Sequence, residues 1–176
     1  MTKKKMALAK KIYREDIINQ MQTRIDLLGY KDTYDATIFL NIRLLTSTFL
    51  FFMVLYLFEW GYVAAPLITF LYYNLLPKMV IDKKVLKRRK KLDGEAMYFF
   101  EVLTLALESG RNIAGAIVLT SNSVDGVLAD EFKKAMEEVN YGKSLGEALI
   151  SLKKRIPSDT INNIILNMSQ ANLFGN

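Results

Sequence analysis

The chain has 176 residues, half of them apolar, a net charge of +6, and neither cysteine nor histidine. Disulfides, thiolate catalysis and cysteine-zinc sites are excluded, as are the commonest general base and the commonest transition-metal ligand. The charge is split: residues 1–91 carry 17 Lys/Arg against 7 Asp/Glu, and residues 92–176 carry 7 against 11, so two electrostatic objects meet near Leu92.

In chain order, Ile17, Met21, Ile25 and Leu28 recur at helical spacing, and Gly29 can end the helix. They predict a cytoplasmic amphipathic helix over 5–29, within a first segment 1–36. It would lie on the membrane or pack on the C-terminal domain. No apolar run precedes Ile12, so this is not read as a secretory signal peptide. From Leu44 to Ile81 only Glu59 and Lys78 are charged. A span needs roughly 20 apolar residues, so residues 37–81 read as a transmembrane hairpin with spans over about 38–58 and 62–80. Phe58 to Tyr62 is the expected turn. Gly61 permits it, and Tyr56, Trp60 and Tyr62 suit an interface. Pro66 falls near the start of the second span, where proline costs a helix least.

Basic clusters flank the apolar run. Lys3, Lys4, Lys5, Lys10, Lys11, Arg14 and Arg24 precede it, and the turn carries only Glu59. The positive-inside rule then makes both ends cytoplasmic. A helical hairpin buried in a soluble protein would explain the apolar residues but not these flanks. Residues 82–92 read as a basic juxtamembrane linker holding Lys83, Lys84, Lys87, Arg88, Arg89, Lys90 and Lys91. Such a run could bind nucleic acid. Directly after a span, it reads instead as a topology anchor that meets anionic lipid headgroups.

Residues 93–176 carry an internal repeat. Gly110 in "LESGRNIAGAI" aligns with Gly142 in "VNYGKSLGEAL", 32 residues on, and Gly175 follows after 33 more. Each copy predicts a helix that ends at a glycine in the left-handed region. A small polar residue, Asn112 or Ser144, then caps the next helix, and Glu147 completes a capping box with Ser144. Apolar stripes follow at Leu128, Phe132, Ala135, Met136 and Val139, at Leu145, Ala148, Leu149 and Leu152, and at Ile161, Ile164, Ile165 and Met168. Pro157-Ser158 starts the last helix. No strand pattern competes, so the fold class is an all-α membrane protein whose cytoplasmic part is an antiparallel helical bundle.

Gly142-Lys143-Ser144 spells the end of a nucleotide-binding P-loop. That motif needs a glycine five residues earlier and a preceding strand. Glu137 stands there instead, on a helical pattern. Gly142 to Gly146 also matches G-x-x-x-G, but in a polar turn. Glu101, Glu108, Asp130, Glu131, Glu137 and Glu138 could hold a divalent cation; the plainer reading is a solvated helix face. Tyr98, Phe99 and Phe100 read as core and helix contacts rather than a cofactor box. No nucleophile–base pair is present, and no catalytic residue, cofactor or metal site is assigned.

Gly110, Asn112, Ala116, Glu131, Gly142, Ser144, Ala148, Leu149, Arg155 and Pro157 together resemble the type II secretion system F family. These are the inner-membrane platform proteins of type II secretion, type IV pili, Tad pili and archaeal flagella. The short N-terminal helix, the "LLGY" near Leu28, the two spans and the basic linker are similar to the Tad branch. Many members carry proline where this chain has Asp93-Gly94. Members usually continue through another helix to further spans, so the chain is expected to be C-terminally incomplete. The resemblance implies a non-enzymatic scaffold in the bacterial cytoplasmic membrane. Its implied partners are a cytoplasmic assembly ATPase, pilin subunits, a second platform protein or another copy of itself, and the bilayer, with no nucleic acid. The alternative is a membrane-tethered helical-repeat adaptor unrelated to secretion. The repeat period is close to that of tetratricopeptide modules, but their tryptophan and Leu-Gly signature is missing. A small membrane enzyme or transporter fits less well, because the spans hold no charge suited to a site beyond Arg43 near one end.

Overall fold

The computed structural model describes residues 14–29, 36–57 and 61–174. Among these residues all regular structure is helical: α1 (Glu15–Asp26), α2 (Ala36–Leu57), α3 (Gly61–Glu108), α4 (Ile113–Ser123), α5 (Val127–Asn140), α6 (Leu145–Lys153) and α7 (Asp159–Phe174). The chain divides into two compact units, residues 1–85 and 86–176.

In the first unit α1 packs on α2. Leu40 is fully buried there, against Ile18, Met21, Leu44 and Tyr73. The buried stripe of α1 therefore runs through Ile18, Met21 and Ile25, while Ile17 is exposed. Gln22 ties the two helices. Its Oε1 accepts from the Ala36 N–H at 3.1 Å, satisfying an N–H at the open start of α2, and its Nε2 donates to Asp26 Oδ1 at 2.9 Å. The part of the expected first helix before residue 14 lies outside the described residues, as do residues 58–60 of the expected turn.

Among the described residues one helix, Ala36–Tyr56, is long and apolar enough to cross a membrane. Three of its hydroxyls are closed off locally. Thr46 Oγ1 donates to the Ile42 carbonyl, Ser47 Oγ to Leu44 and Thr48 Oγ1 to Leu44, at 2.9–3.0 Å. Each hydroxyl is thus satisfied without water, as an apolar surrounding requires. Side chains over the second expected span, about 62–80, are described only in part.

Residues 82–92, expected as a basic linker, are helical. They lie within the 48-residue helix α3. Only Pro66 and Pro77 could interrupt it, and from Ile81 to Glu108 there is no proline.

In the second unit each helix packs on the next, α4 on α5, α5 on α6 and α6 on α7. The core gathers Leu92, Phe99 and Leu103 of α3 with Ile117, Phe132, Leu149, Leu152 and Ile161. Phe99 stacks on Phe132 with ring centres 4.7 Å apart, and Phe100 meets Phe132 edge-on. Tyr98 points outward, contrary to its expected core role.

The start of α5 is capped from a distance. Its N-cap is Gly126, which has no side chain to offer. Glu95 of α3 supplies the missing acceptor, its Oε2 taking the Leu128 N–H at 2.9 Å. Gly126 lies at φ +146°, and an added Cβ would stand 2.6 Å from that carboxylate oxygen. Gly126→Ala should therefore destabilise the chain by about 1–3 kcal/mol, and Glu95→Gln by a smaller amount. Urea titration of the detergent-solubilised protein checks both, and an alanine variant as stable as the parent would refute this account of the cap.

Candidate functional site

The two glycine turns share one geometry. Gly110 has φ +85° and Gly142 φ +98°. Each glycine N–H returns to the carbonyl three residues back, Leu107 or Val139, at 2.9 Å. Two residues after each glycine comes a capping side chain. Asn112 Oδ1 accepts from the Gly115 N–H at 2.8 Å. Ser144 Oγ accepts from the Glu147 N–H at 3.3 Å, and Glu147 Oε2 accepts from the Ser144 N–H at 3.0 Å. The hydrogen bonds from Ser144 hold the Glu147 carboxyl below the usual carboxylate value. Pro157 is half-buried in the α6–α7 connection, and Ser158 begins α7 by donating to Asp93 of α3 and accepting from the Ile161 N–H at 3.5 Å. Gly175 lies outside the described residues.

Nothing at Gly142 is arranged for phosphate. Lys143 Nζ is already held by Glu138 Oε2 at 2.7 Å, and a helix rather than a strand leads into the turn.

The most constrained chemistry lies on the carboxylates expected to be a solvated face. Glu131 is buried, with its side chain 2% exposed. Arg88 Nη2 donates to its Oε1 at 2.8 Å, Arg155 Nε to its Oε2 at 3.0 Å, and Lys134 Nζ to Oε1 at 3.1 Å. Arg155, itself 5% exposed, also gives Nη1 to Glu138 Oε1 at 2.7 Å. The result is a ladder, Arg88–Glu131–Arg155–Glu138–Lys143, which joins α3, α5, the α6–α7 connection and the α5–α6 turn. Glu131 and Glu138 are two helical turns apart on α5, so both face Arg155. A carboxylate this deep is tolerable because cations meet both oxygens.

The ladder corrects the membrane-surface assignment of Arg88, whose side chain is turned inward to Glu131. Arg89 is also engaged, with Asp93 at 3.6 Å and Asp159 at 3.7 Å. Lys83, Lys84, Lys87, Lys90 and Lys91 are exposed. Arg88 was hidden in the sequence among these lysines. Its signal is chemical: arginine is the cation suited to a buried, planar carboxylate pair. Glu101, Glu108, Asp130 and Glu137 are exposed, and no group of three acidic residues among the described residues could hold a metal.

The first unit offers a different surface. The outward side of α2 carries Ile42, Leu45, Phe49, Phe52, Met53 and Tyr56, all exposed. Early in α3, Leu67, Phe70 and Leu71 are exposed too. A contiguous apolar face of this size signals a membrane or a partner.

Residues 99–175 match the family model of the type II secretion system, protein F. The match spans 77 of the 176 residues. No curated protein and no solved structure matches it. Proteins with this domain are in general non-catalytic inner-membrane platforms of secretion and pilus machines. The match covers α4 to α7 and the end of α3, and so includes both glycine turns, Glu131, Glu138 and Arg155.

Removing the Glu131 charge strands the buried Arg155 and the half-buried Arg88. Glu131→Gln should cost about 3–5 kcal/mol of stability, whereas Lys134→Gln, an exposed partner, should cost under about 1 kcal/mol. Chemical denaturation reads both, and equal costs would show that burial does not set the strength of the ladder.

Burial pushes the Glu138 carboxyl up, but hydrogen bonds from Lys143 and Arg155, with their charges, hold it below its ordinary 4.5. A carboxyl depressed in the folded state stabilises the fold fully above its unfolded value, and that contribution is lost as pH falls through the folded one. The full chain should lose stability as pH drops below about 4.5, and Glu138→Gln should flatten this acid limb. Melting temperature against pH tests it, and parallel curves for parent and variant would contradict the assignment.

Proposed function

We propose that the chain is a platform subunit of a type II secretion or Tad-like type IV pilus machine, coupling a cytoplasmic assembly ATPase to the extraction of pilins from the membrane. The observation that carries this reading is the F domain attached to an apolar helix with an outward apolar face. In this reading α2 and the start of α3 form a two-span hairpin. Its support is the packing of Tyr73 of α3 on Leu40 of α2. The N-terminus and the C-terminal unit are cytoplasmic, supported by the exposed lysines of α3. The glycine turns are two copies of one repeat. ATP is hydrolysed by the partner, in keeping with the occupied Lys143.

The acidic C-terminal half would meet a basic surface on the ATPase, so their association should weaken as salt rises. Co-purification from detergent with the assembly ATPase tests the function; no association, together with normal pili in a deletion strain, would refute it. Topology is readable because the chain has no cysteine of its own. A single cysteine at Lys3 or Ile150 should be shielded from an impermeant thiol reagent in intact cells, and one at Glu59 should react.

A further inference from the structure

We propose that Arg43 binds the phosphodiester group of an anionic membrane lipid. The proposal rests on the reading of α2 as a membrane span. Arg43 is the only charged residue of α2, about 10 Å along the helix from Ala36. Arginine does not lose its proton in proteins, so the full charge enters an apolar zone, where an ionisable residue is costly and marks a site.

Its neighbours account for part of that charge. The guanidinium carbon lies 3.8 Å from the centre of the Tyr73 ring, and the ring face attracts a cation. A ring face is no substitute for the acceptors that the planar N–H edge seeks. Arg43 Nε is buried and has no hydrogen-bond partner. Among the described residues none of the ion pairs includes Arg43. One cation therefore sits on an aromatic face beside the apolar group of Leu40, Leu44, Ile18 and Met21.

That pattern is amphipathic in the way a phospholipid is. The guanidinium fork matches two phosphate oxygens. A long side chain at this depth can snorkel toward the headgroup level. Leu50 and Val54, two and three turns further along the same face of α2, are half-buried and would lie along an acyl chain. The exposed lysines of α3 attract anionic lipid differently, as a diffuse surface charge that does not select one molecule.

The test uses the full chain, reconstituted in vesicles of phosphatidylcholine and phosphatidylglycerol, extracted in mild detergent and assayed for retained lipid by mass spectrometry. The parent should retain phosphatidylglycerol stoichiometrically. Arg43→Gln should lose it several-fold, and Arg43→Lys, which keeps the charge without the fork, should retain an intermediate amount. A Lys83→Gln, Lys84→Gln, Lys87→Gln triple variant should retain as much as the parent. Should Arg43→Gln fail to fold, the lysine variant decides by the same measure. Undiminished retention in the Arg43 variants overturns the proposal, and so does equal loss in the triple variant. Displacement by excess inorganic phosphate would also overturn it, since that marks a free-phosphate site. Release of the parent chain from vesicles by alkaline carbonate would instead refute the membrane reading; a chain that stays embedded while Arg43→Gln keeps its lipid refutes only the site.

Discussion

The C-terminal unit depends on one carboxylate. Glu131 sits where water does not reach, and two arginines from distant parts of the chain converge on it. Hydrophobic contacts alone would allow five amphipathic helices several ways to pack, since Leu, Ile and Phe are interchangeable at modest cost. A buried charge tolerates few of them. Any arrangement that separates Arg88 or Arg155 from Glu131 leaves ions unpaired in a low-dielectric interior. The ladder thereby selects one register of α3 against α5, and one path for the α6–α7 connection.

Around that choice, α3 acts as the template of the bundle. One face supplies Leu92, Phe99 and Leu103 to the core. The same stretch supplies the polar partners that later segments lack: Arg88 for Glu131, Asp93 for Ser158 and Glu95 for the bare start of α5. In the first unit the logic is reversed. The hydroxyls of Thr46, Ser47 and Thr48 satisfy themselves within α2, so its outward side can be largely apolar.

Features governed by near neighbours were legible in the sequence. Gly110, Asn112, Gly142, Ser144 and Glu147 form contacts within a few residues, so spacing reveals them. The apolar stripes of α5 and α6 follow from periodicity. What spacing cannot show is a partner tens of residues away. Nothing near Gly126 announces Glu95, and nothing near Arg88 separates it from the lysines around it. Glu131 looked solvated because charged residues usually are, and only its arginines reverse that. On α1 the expected stripe held at Met21 and Ile25 but not at Ile17, because Leu40 selects Ile18 one position on.

The order of these partners along the chain has a consequence for synthesis. Arg88 precedes Glu131 by 43 residues, Asp93 precedes Ser158 by 65, and Glu95 precedes Leu128 by 33. A ribosome delivers a chain from its N-terminus, and folding can begin before synthesis ends. Each later segment would then emerge to find its counter-charge or cap already made, on a helix whose own hydrogen bonds are local. Assembly of the bundle is in this sense vectorial, and α5 has no complete start of its own until it returns to α3.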